Sequence, residues 1–316
     1  MKNKLITLII PAKNAEETIT AAINSVEALA SLTPTQLIIV EDGSTDNTLE
    51  IICAAISQTK SLASIVLSNP QSIGPGPSRN RALALAEGSS IGFIDSDDIL
   101  IPESYCAVLS QAQHEKRDMA LFDDVNGVYD RQRITKILDK TERSRLLRRL
   151  EIDGSVIYSL FSSKLIFDNN LSFGEHYFED FQFQYGAVAA AKNILISSKT
   201  CYAKSDTAES ILNTFSTRHV AGVHSLFEWL NEVMPSFADD DTDINVIRAD
   251  IAYGIRGLMY NVINQGQPQN ESVVVDRLKE FVTSEFDLEL VMKSLTRSSK
   301  DQHLKRLFER MNYEIL

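Results

Sequence analysis

Two aspartates one residue apart, Asp95 and Asp97, directly follow the apolar run Ile91-Gly92-Phe93-Ile94. In extended backbone, residues i and i+2 face the same side. The two carboxylates therefore converge at a strand end, where burial without a positive partner is costly. Mg²⁺ or Mn²⁺ relieves that cost, because either ion takes one or two carboxylates and completes its shell with substrate phosphates. The competing reading is an acidic turn in which Asp98 caps the helix that starts near Pro102. A second acidic pair, Glu179-Asp180, lies among Tyr177, Phe178 and Phe181 and opens a helix. It either complements the helix dipole or, partly desolvated, gains proton affinity and acts as a general base.

Two more segments carry functional residue types. Asp42-Gly43-Ser44-Thr45-Asp46 combines a glycine that allows close backbone approach with hydroxyls and carboxylates that bind a base or ribose; an ordinary turn with a helix cap fits equally. The segment Asn69 to Arg81 looks like a phosphate cradle, but Pro75 and Pro77 lack the N–H groups that a cradle needs. Anion contact then falls to Arg79, whose guanidinium is a fixed fork for oxyanions, unless it is a solvated surface residue.

These residues need elements to hold them. Leu5–Ile10, Leu37–Val40, Ser64–Leu67 and Ile91–Ile94 are short apolar runs suited to parallel strands covered on both faces. Helical spacing separates them over Ala15–Ala30, Thr48–Thr59 and Ser78–Ala86. Alternating strands and helices predict an α/β, doubly wound, mostly parallel sheet flanked by helices, with ligands beyond the carboxyl ends of the strands. The polar segments at 14–16, 41–46 and 95–98 fall there. Beyond Pro102, a helix over Glu103–Gln113 and a strand over Met119–Phe122 extend the sheet. Thr141–Leu150 reads as a basic helix, Gly154–Phe161 and Lys164–Phe167 as irregular, Glu179–Ala191 as a helix and Ile194–Ser197 as a short strand. Helical spacing then dominates, in Val220 to Met234, Ile247 to Val262 and Leu304–Leu316. An acidic loop at Asp239–Asp243 and a polar linker at Gln265–Glu271 separate these helices. The predicted division is a domain of residues 1–212 and an α-helical C-terminal region of 213–316.

Composition narrows the partners. A net charge of -12 over 316 residues argues against nucleic acid. Cys53, Cys106 and Cys201 are far apart and odd in number, as expected of reduced thiols in a cytoplasmic protein. The apolar start is too short for a secretory core or a membrane span, so any membrane contact is expected to be peripheral. The cluster Arg143, Arg145, Arg148 and Arg149 suits either anionic lipid or a solvated helix face. The C-terminal apolar helices suit a homodimer interface, a membrane contact or packing onto the first domain.

Taken in order, five segments resemble family 2 glycosyltransferases of the GT-A fold, over roughly residues 4–210. They are Leu8-Ile9-Ile10-Pro11-Ala12-Lys13-Asn14-Ala15-Glu16, Ile39 to Thr48, Ser78-Arg79-Asn80, Gly92 to Asp98, and Tyr177 to Phe181. The resemblance implies that Pro11, Asn14 and Glu16 lie along the nucleotide and that Asp42, with Ser44, meets the nucleobase. It places Arg79 near the diphosphate or base, Asp95 and Ser96 at the ribose, with Asp95 also near the metal, and Asp97 as metal ligand. It makes Asp180, beside Glu179, the catalytic base. Ser78 and Ala82 depart from the family's usual Ala and Gly but stay small. Some relatives add a late histidine as metal ligand, for which His219 and His224 qualify by position only, and His176 adjoins the presumptive acceptor side. The implied activity is inverting, Mn²⁺- or Mg²⁺-dependent transfer from a nucleoside-diphosphate sugar, by family prior a UDP-sugar. The acceptor would be a carbohydrate or lipid-linked hydroxyl in surface polysaccharide or glycoconjugate synthesis. A non-catalytic nucleotide-sugar-binding or partner-binding module and a sugar nucleotidyltransferase are the alternatives; the latter lacks its glycine-rich triphosphate loop here.

Overall fold

The computed structural model describes residues 5–125, 136–138, 154–205 and 217–236. The chain opens with β1 (Ile6–Ala12), α1 (Ile19–Ala30), β2 (Thr35–Asp42), α2 (Thr48–Gln58), β3 (Ala63–Asn69), α3 (Pro75–Leu83) and β4 (Ser90–Phe93). It continues with β5 (Ile99–Leu100), α4 (Pro102–His114), β6 (Met119–Asp124), β7 (Lys136–Leu138) and β8 (Ser159–Ser162). The later elements are α5 (Ser163–Asp168), α6 (Glu179–Ala190), β9 (Ile194–Ala203) and α7 (Thr217–Glu232).

The sheet order is β3-β2-β1-β4-β8-β6-β9-β5, with β7 also against β9. The β3-β2-β1-β4 half is parallel, as the strand–helix alternation predicts. Every residue of β1 and β2 is buried, because helices cover both faces. Side chains divide by pleat. Ile9, Ile38 and Val40 enter a core with α3, α6 and α7, whereas Ile6, Leu8 and Ile10 enter one with α1 and α4.

β1 runs through Pro11 rather than stopping at it. Ile94 N–H donates to the Ile9 carbonyl, which directs Ile9 and, two residues on, Pro11 toward β4. The β1–β4 ladder ends at Ile9 paired with Phe93, so the missing proline N–H leaves no gap in the ladder.

The stretch read as irregular is ordered. A 3₁₀ turn at Val156–Tyr158 leads into β8, which inserts antiparallel between β4 and β6. A four-residue strand flanked by serines has too few positions to show alternation. β9 extends to Ala203, well past the expected Ser197, because its polar middle still pairs with β6. The basic stretch 141–150 and the segments 239–243, 247–262, 265–271 and 304–316 lie outside the described residues. The expected division at 212/213 falls just ahead of α7, whose Leu226 and Leu230, followed by Met234, join the core beside α3 and α6. Among the described residues, no helix is long and apolar enough to cross a membrane. Cys53, Cys106 and Cys201 are free thiols.

Tyr105 of α4 is buried against Gly92, where an added Cβ would meet its hydroxyl. That hydroxyl has no hydrogen-bond partner among the described residues. An unpaired buried hydroxyl costs about 1–3 kcal/mol. Tyr105→Phe is therefore expected to raise the unfolding free energy by about 1 kcal/mol, read as a higher denaturation midpoint.

Candidate active site

The site lies at the carboxyl ends of β1, β2, β3 and β4, where the loops after β1, β2 and β3 and the acidic turn after β4 meet the start of α6. Two of these loops are laced together. Asn14, with φ of 48°, donates its N–H to Ser44 Oγ at 3.0 Å and accepts from Thr45 N–H through Oδ1 at 2.9 Å. Glu16 Oε2 accepts from the Asn47 backbone at 3.0 Å and from its side chain at 2.9 Å. Asp46 accepts in return from Glu16 N–H at 3.3 Å and from Thr48 N–H at 3.0 Å. The polar residues of the Pro-x-x-Asn-x-Glu and Asp-Gly-Ser segments thus form one clasp between the β1–α1 and β2–α2 loops.

Asp42 shapes the third loop. Its Oδ1 accepts from Asn69 Nδ2 at 2.7 Å and Ile73 N–H at 2.9 Å, and its Oδ2 from Ser72 Oγ at 2.7 Å and Gly74 N–H at 2.9 Å. Four donors match the four lone-pair sites of a carboxylate. Burial pushes the Asp42 pKa up, but these four bonds outweigh it and hold it below the ordinary aspartate value. Gly43, at φ 65°, has the backbone of Gln71 and Ser72 lying directly against it. The close approach that this glycine permits is made by the protein itself.

Arg79 is the centre of the site. It projects from α3, which Pro75 opens at its first turn. Its Nη2 meets Asp95 Oδ1 at 2.8 Å, and its Nη1 meets Glu179 Oε1 at 2.9 Å and Asp180 Oδ1 at 2.8 Å. The Arg79 side chain is only 4% exposed, against 33% for Asp95. Its guanidinium lies 5.3 Å from the Phe173 ring centroid. Burial works against the arginine's charge, but Asp180, Asp95 and Glu179 outweigh it and keep it protonated. The neighbouring Asn80 clips the other side, donating to Phe173 C=O and accepting from Phe173 N–H, both at 2.9 Å. Gly76 allows α3 to come this close: a Cβ there would run into the Gly174 carbonyl and stand 2.9 Å from Glu179 Cγ. The glycine-proline segment is a packing surface for the acidic pair.

The acidic pair sits at the first turn of α6, immediately after Phe178. Phe178 has φ 68° and ψ 21°, a left-handed conformation that costs a bulky residue of order 1–3 kcal/mol. Glu179 is pushed up to about 7, first by burial and then by the Asp180 charge, with Arg79 opposing. Asp180 is also raised, by burial against the opposing pull of Arg79. Its Oδ1 is held by Arg79. Among the described residues its Oδ2 meets two long contacts, Ser155 Oγ at 3.4 Å and Val156 N–H at 3.5 Å. His176 is exposed just before this turn.

The acidic turn after β4 divides its labour. Asp98 does not cap α4, whose N-cap is Ile101. It is buried, accepts from Tyr202 Oη–H at 2.8 Å through Oδ2, and from Ser205 N–H at 2.8 Å through Oδ1. Tyr202 in turn accepts from Asp95 N–H at 3.1 Å. Burial, then the charges of Asp95 and Asp97, push Asp98 up to about 7. Asp95, Ser96 and Asp97 are half-buried at the cleft. Among the described residues no three His, Cys, Asp or Glu side chains form a complete metal cluster. Asp95 and Asp97 offer the one or two carboxylates that a divalent ion takes alongside phosphate and water. His219 and His224 lie on α7, and their side chains are outside the described residues.

The structure thus brings Arg79, Asp95, Glu179 and Asp180 to one point. Asn14, Glu16, Asp42 and Ser44 go to the surrounding loop framework, and Pro11 lies within β1. Sequence reading missed Tyr202, Asn80 as a clip, and Ser155. Asn80 alone carried a signal, as the partner of Arg79 in the Arg-Asn pair.

Two predictions follow from this arrangement. Arg79→Ala leaves three crowded carboxylates and should destabilise the protein by about 3–5 kcal/mol. Without the guanidinium the acids bind protons more tightly folded than unfolded, so the deficit should shrink as pH falls from 8 to 5.5 in thermal melts. Asp42→Asn turns an amide toward two donors and should cost about 1–3 kcal/mol. The wild-type carboxylate has a depressed pKa, so its advantage persists above 3.8, the ordinary value, and is lost as pH drops below it. The gap between wild-type and variant melting temperatures should therefore narrow below that pH.

The Glycosyl transferase family 2 model matches residues 7–166, which is 160 of 316 residues. Among curated proteins, the chain is 36% identical over 106 residues to the succinoglycan biosynthesis protein ExoU of Rhizobium meliloti, covering 34% of this chain and 30% of ExoU. It is 29% identical over 204 residues to the poly(ribitol-phosphate) beta-N-acetylglucosaminyltransferase TarS of Staphylococcus aureus, covering 62% and 34%. It is 37% identical over 102 residues to the UDP-Glc:alpha-D-GlcNAc-diphosphoundecaprenol beta-1,3-glucosyltransferase WfgD of Escherichia coli, covering 32% and 38%. The matched part is about a third of the length of these relatives. Among solved structures, S. aureus TarS 1–349 in complex with UDP-GlcNAc has a TM-score of 0.68 at 22% identity, covering 93% of this chain and 83% of that one. The mannosyltransferase PcManGT of Pyrobaculum calidifontis, in complex with GDP-Man and Mn²⁺, has a TM-score of 0.56 at 11% identity, covering 89% and 81%. The family match runs from the first strand through the acidic turn into α5, and the fold is shared with TarS: the chain belongs to glycosyl transferase family 2 and has the GT-A architecture.

Proposed function

We propose that this chain is an inverting glycosyltransferase that moves a sugar from a UDP-sugar to an acceptor hydroxyl in surface polysaccharide or glycoconjugate synthesis. The observation that carries the reading is the convergence of Asp95 and Asp180 on Arg79, 2.8 Å from each. It sets a half-buried strand-end carboxylate beside a more deeply buried one. The relatives' names support the donor class: WfgD is named for UDP-Glc, and TarS was solved with UDP-GlcNAc. WfgD is also named for a lipid-diphosphate acceptor, which supports a carbohydrate or lipid-linked acceptor here.

The nucleotide would lie over the clasp of Asn14, Glu16 and Ser44 and the loop held by Asp42, which supply a shaped wall for base and ribose. Asp97, with Asp95, would hold Mn²⁺ or Mg²⁺, which when bound supplies charge for the departing diphosphate. Asp180 receives the acceptor's hydroxyl proton on Oδ2, the oxygen not held by Arg79. Burial favours that proton transfer by raising the carboxylate's proton affinity. The acceptor oxygen then attacks the anomeric carbon from the face opposite the nucleotide, which inverts the configuration. Arg79 keeps Asp180 oriented, and the Asp180 charge beside Glu179 helps burial to push Glu179 up to about 7.

Turnover and UDP binding with Mn²⁺, over UDP-glucose, UDP-N-acetylglucosamine and their GDP and dTDP counterparts, test the proposal. Asp97→Ala is expected to weaken metal-dependent donor binding. Asp180→Asn is expected to keep donor binding within about twofold and to lower kcat by about 100-fold or more. Wild-type turnover in both variants would remove the assignment.

A further inference from the structure

We propose that α7 braces the catalytic turn, with Gly222 and Ser225 as positioning residues for Asp180; the catalytic part of this inference rests on the reading of Asp180 as the base. The turn needs an external hold, because Phe178 sits in a left-handed conformation that an aromatic side chain disfavours. Two contacts from α7 supply that hold, one on each side of the Phe178-Glu179-Asp180 stretch.

On the near side, Gly222 lies against the backbone of Tyr177, one residue before Phe178. A Cβ at Gly222 would meet the Tyr177 carbonyl oxygen and stand 2.8 Å from its carbonyl carbon. That obstacle is backbone, which cannot rotate aside as a flexible side chain would. On the far side, Gln182 Nε2, two residues past Asp180, donates to the Ser225 carbonyl at 3.2 Å and to Ser225 Oγ at 3.3 Å. Gly174 leaves the room that the Gln182 amide occupies. Gly222 and Ser225 are three apart, so they share one face of the helix.

The brace is itself anchored. Leu226 and Leu230 are buried in the core that also contains Phe173 and Phe183, and the partly buried Phe178 and Phe181 pack against the same core. The segment after β9 therefore returns to fix the geometry of residues about forty positions earlier. Moving α7 moves the turn, and with it the oxygen that takes the proton.

The test combines hydrogen exchange with kinetics on the full chain. Three variants are compared: Gly222→Ala, Ser225→Ala and, as a stability control, Ile23→Val, which trims the core on the α1 side of the sheet, away from α7 and the turn. In Gly222→Ala, amides of 177–182 should exchange faster while those of β1 and β2 keep their protection. UDP release from UDP-glucose or UDP-N-acetylglucosamine with Mn²⁺ should lose about tenfold or more in kcat, with UDP affinity unchanged. Ser225→Ala should show the same pattern more weakly. Ile23→Val should lower the melting temperature and leave kcat in place. Unchanged exchange at 177–182 in Gly222→Ala would overturn the brace, as would an equal kcat loss in Ile23→Val. A wild-type chain that released UDP from neither donor would count against the transferase reading alone, and the exchange comparison would then decide the brace.

Discussion

A guanidinium buried in protein is tolerated only where its charge is met, and Arg79 is met three times, by Asp95, Glu179 and Asp180. These acids come from different parts of the fold. Asp95 follows β4 in the parallel half-sheet, and the other two open α6 about eighty-five residues later. The ion cluster joins the two halves of the site and sets the distance between Asp95 and Asp180. It also opposes the desolvation that raises the acids' proton affinity. One group thereby influences both where the acids stand and when they release a proton.

Around this hub, residues that look like ligand contacts in sequence are occupied with one another. Asp42 accepts four hydrogen bonds and organises the 69–74 loop. Asn14 and Glu16 clamp the next loop through Ser44, Thr45 and Asn47. A wall built this way is preorganised, because its polar groups are satisfied before any ligand arrives. Asp98 plays the same part for the acidic turn, tying it to Tyr202 and Ser205, and leaves Asp95 and Asp97 half-buried at the cleft.

The mixed half of the sheet is what allows the later segments to reach the site. β8 inserts between β4 and β6 and follows directly on Ser155 and Val156, the two groups that approach Asp180 Oδ2. β9 carries Tyr202 to the acidic turn. α7 then packs against the start of α6 through Gly222, Ser225 and Leu226.

The parallel half-sheet and the candidate acids were legible in sequence, because each depends on local pattern. Apolar runs four to six residues long mark the parallel strands, and acids directly after a strand mark its carboxyl end; the expected cover on both faces fails at β3, which is partly exposed because it ends the sheet. The antiparallel strand β8 was not legible, since a four-residue strand that begins and ends with serine carries no periodic signal. The partners of Arg79 were not legible either: sequence directs a lone arginine toward phosphate, and only the packing of α3 on α6, opened by Gly76, turns it toward carboxylates one hundred positions away. Sequence by itself determined which residues have the chemistry and on which strand ends they stand. Tertiary structure decided which of them meet, because a charge pairs with what lies within about 4 Å, and that distance is set by packing rather than by order along the chain.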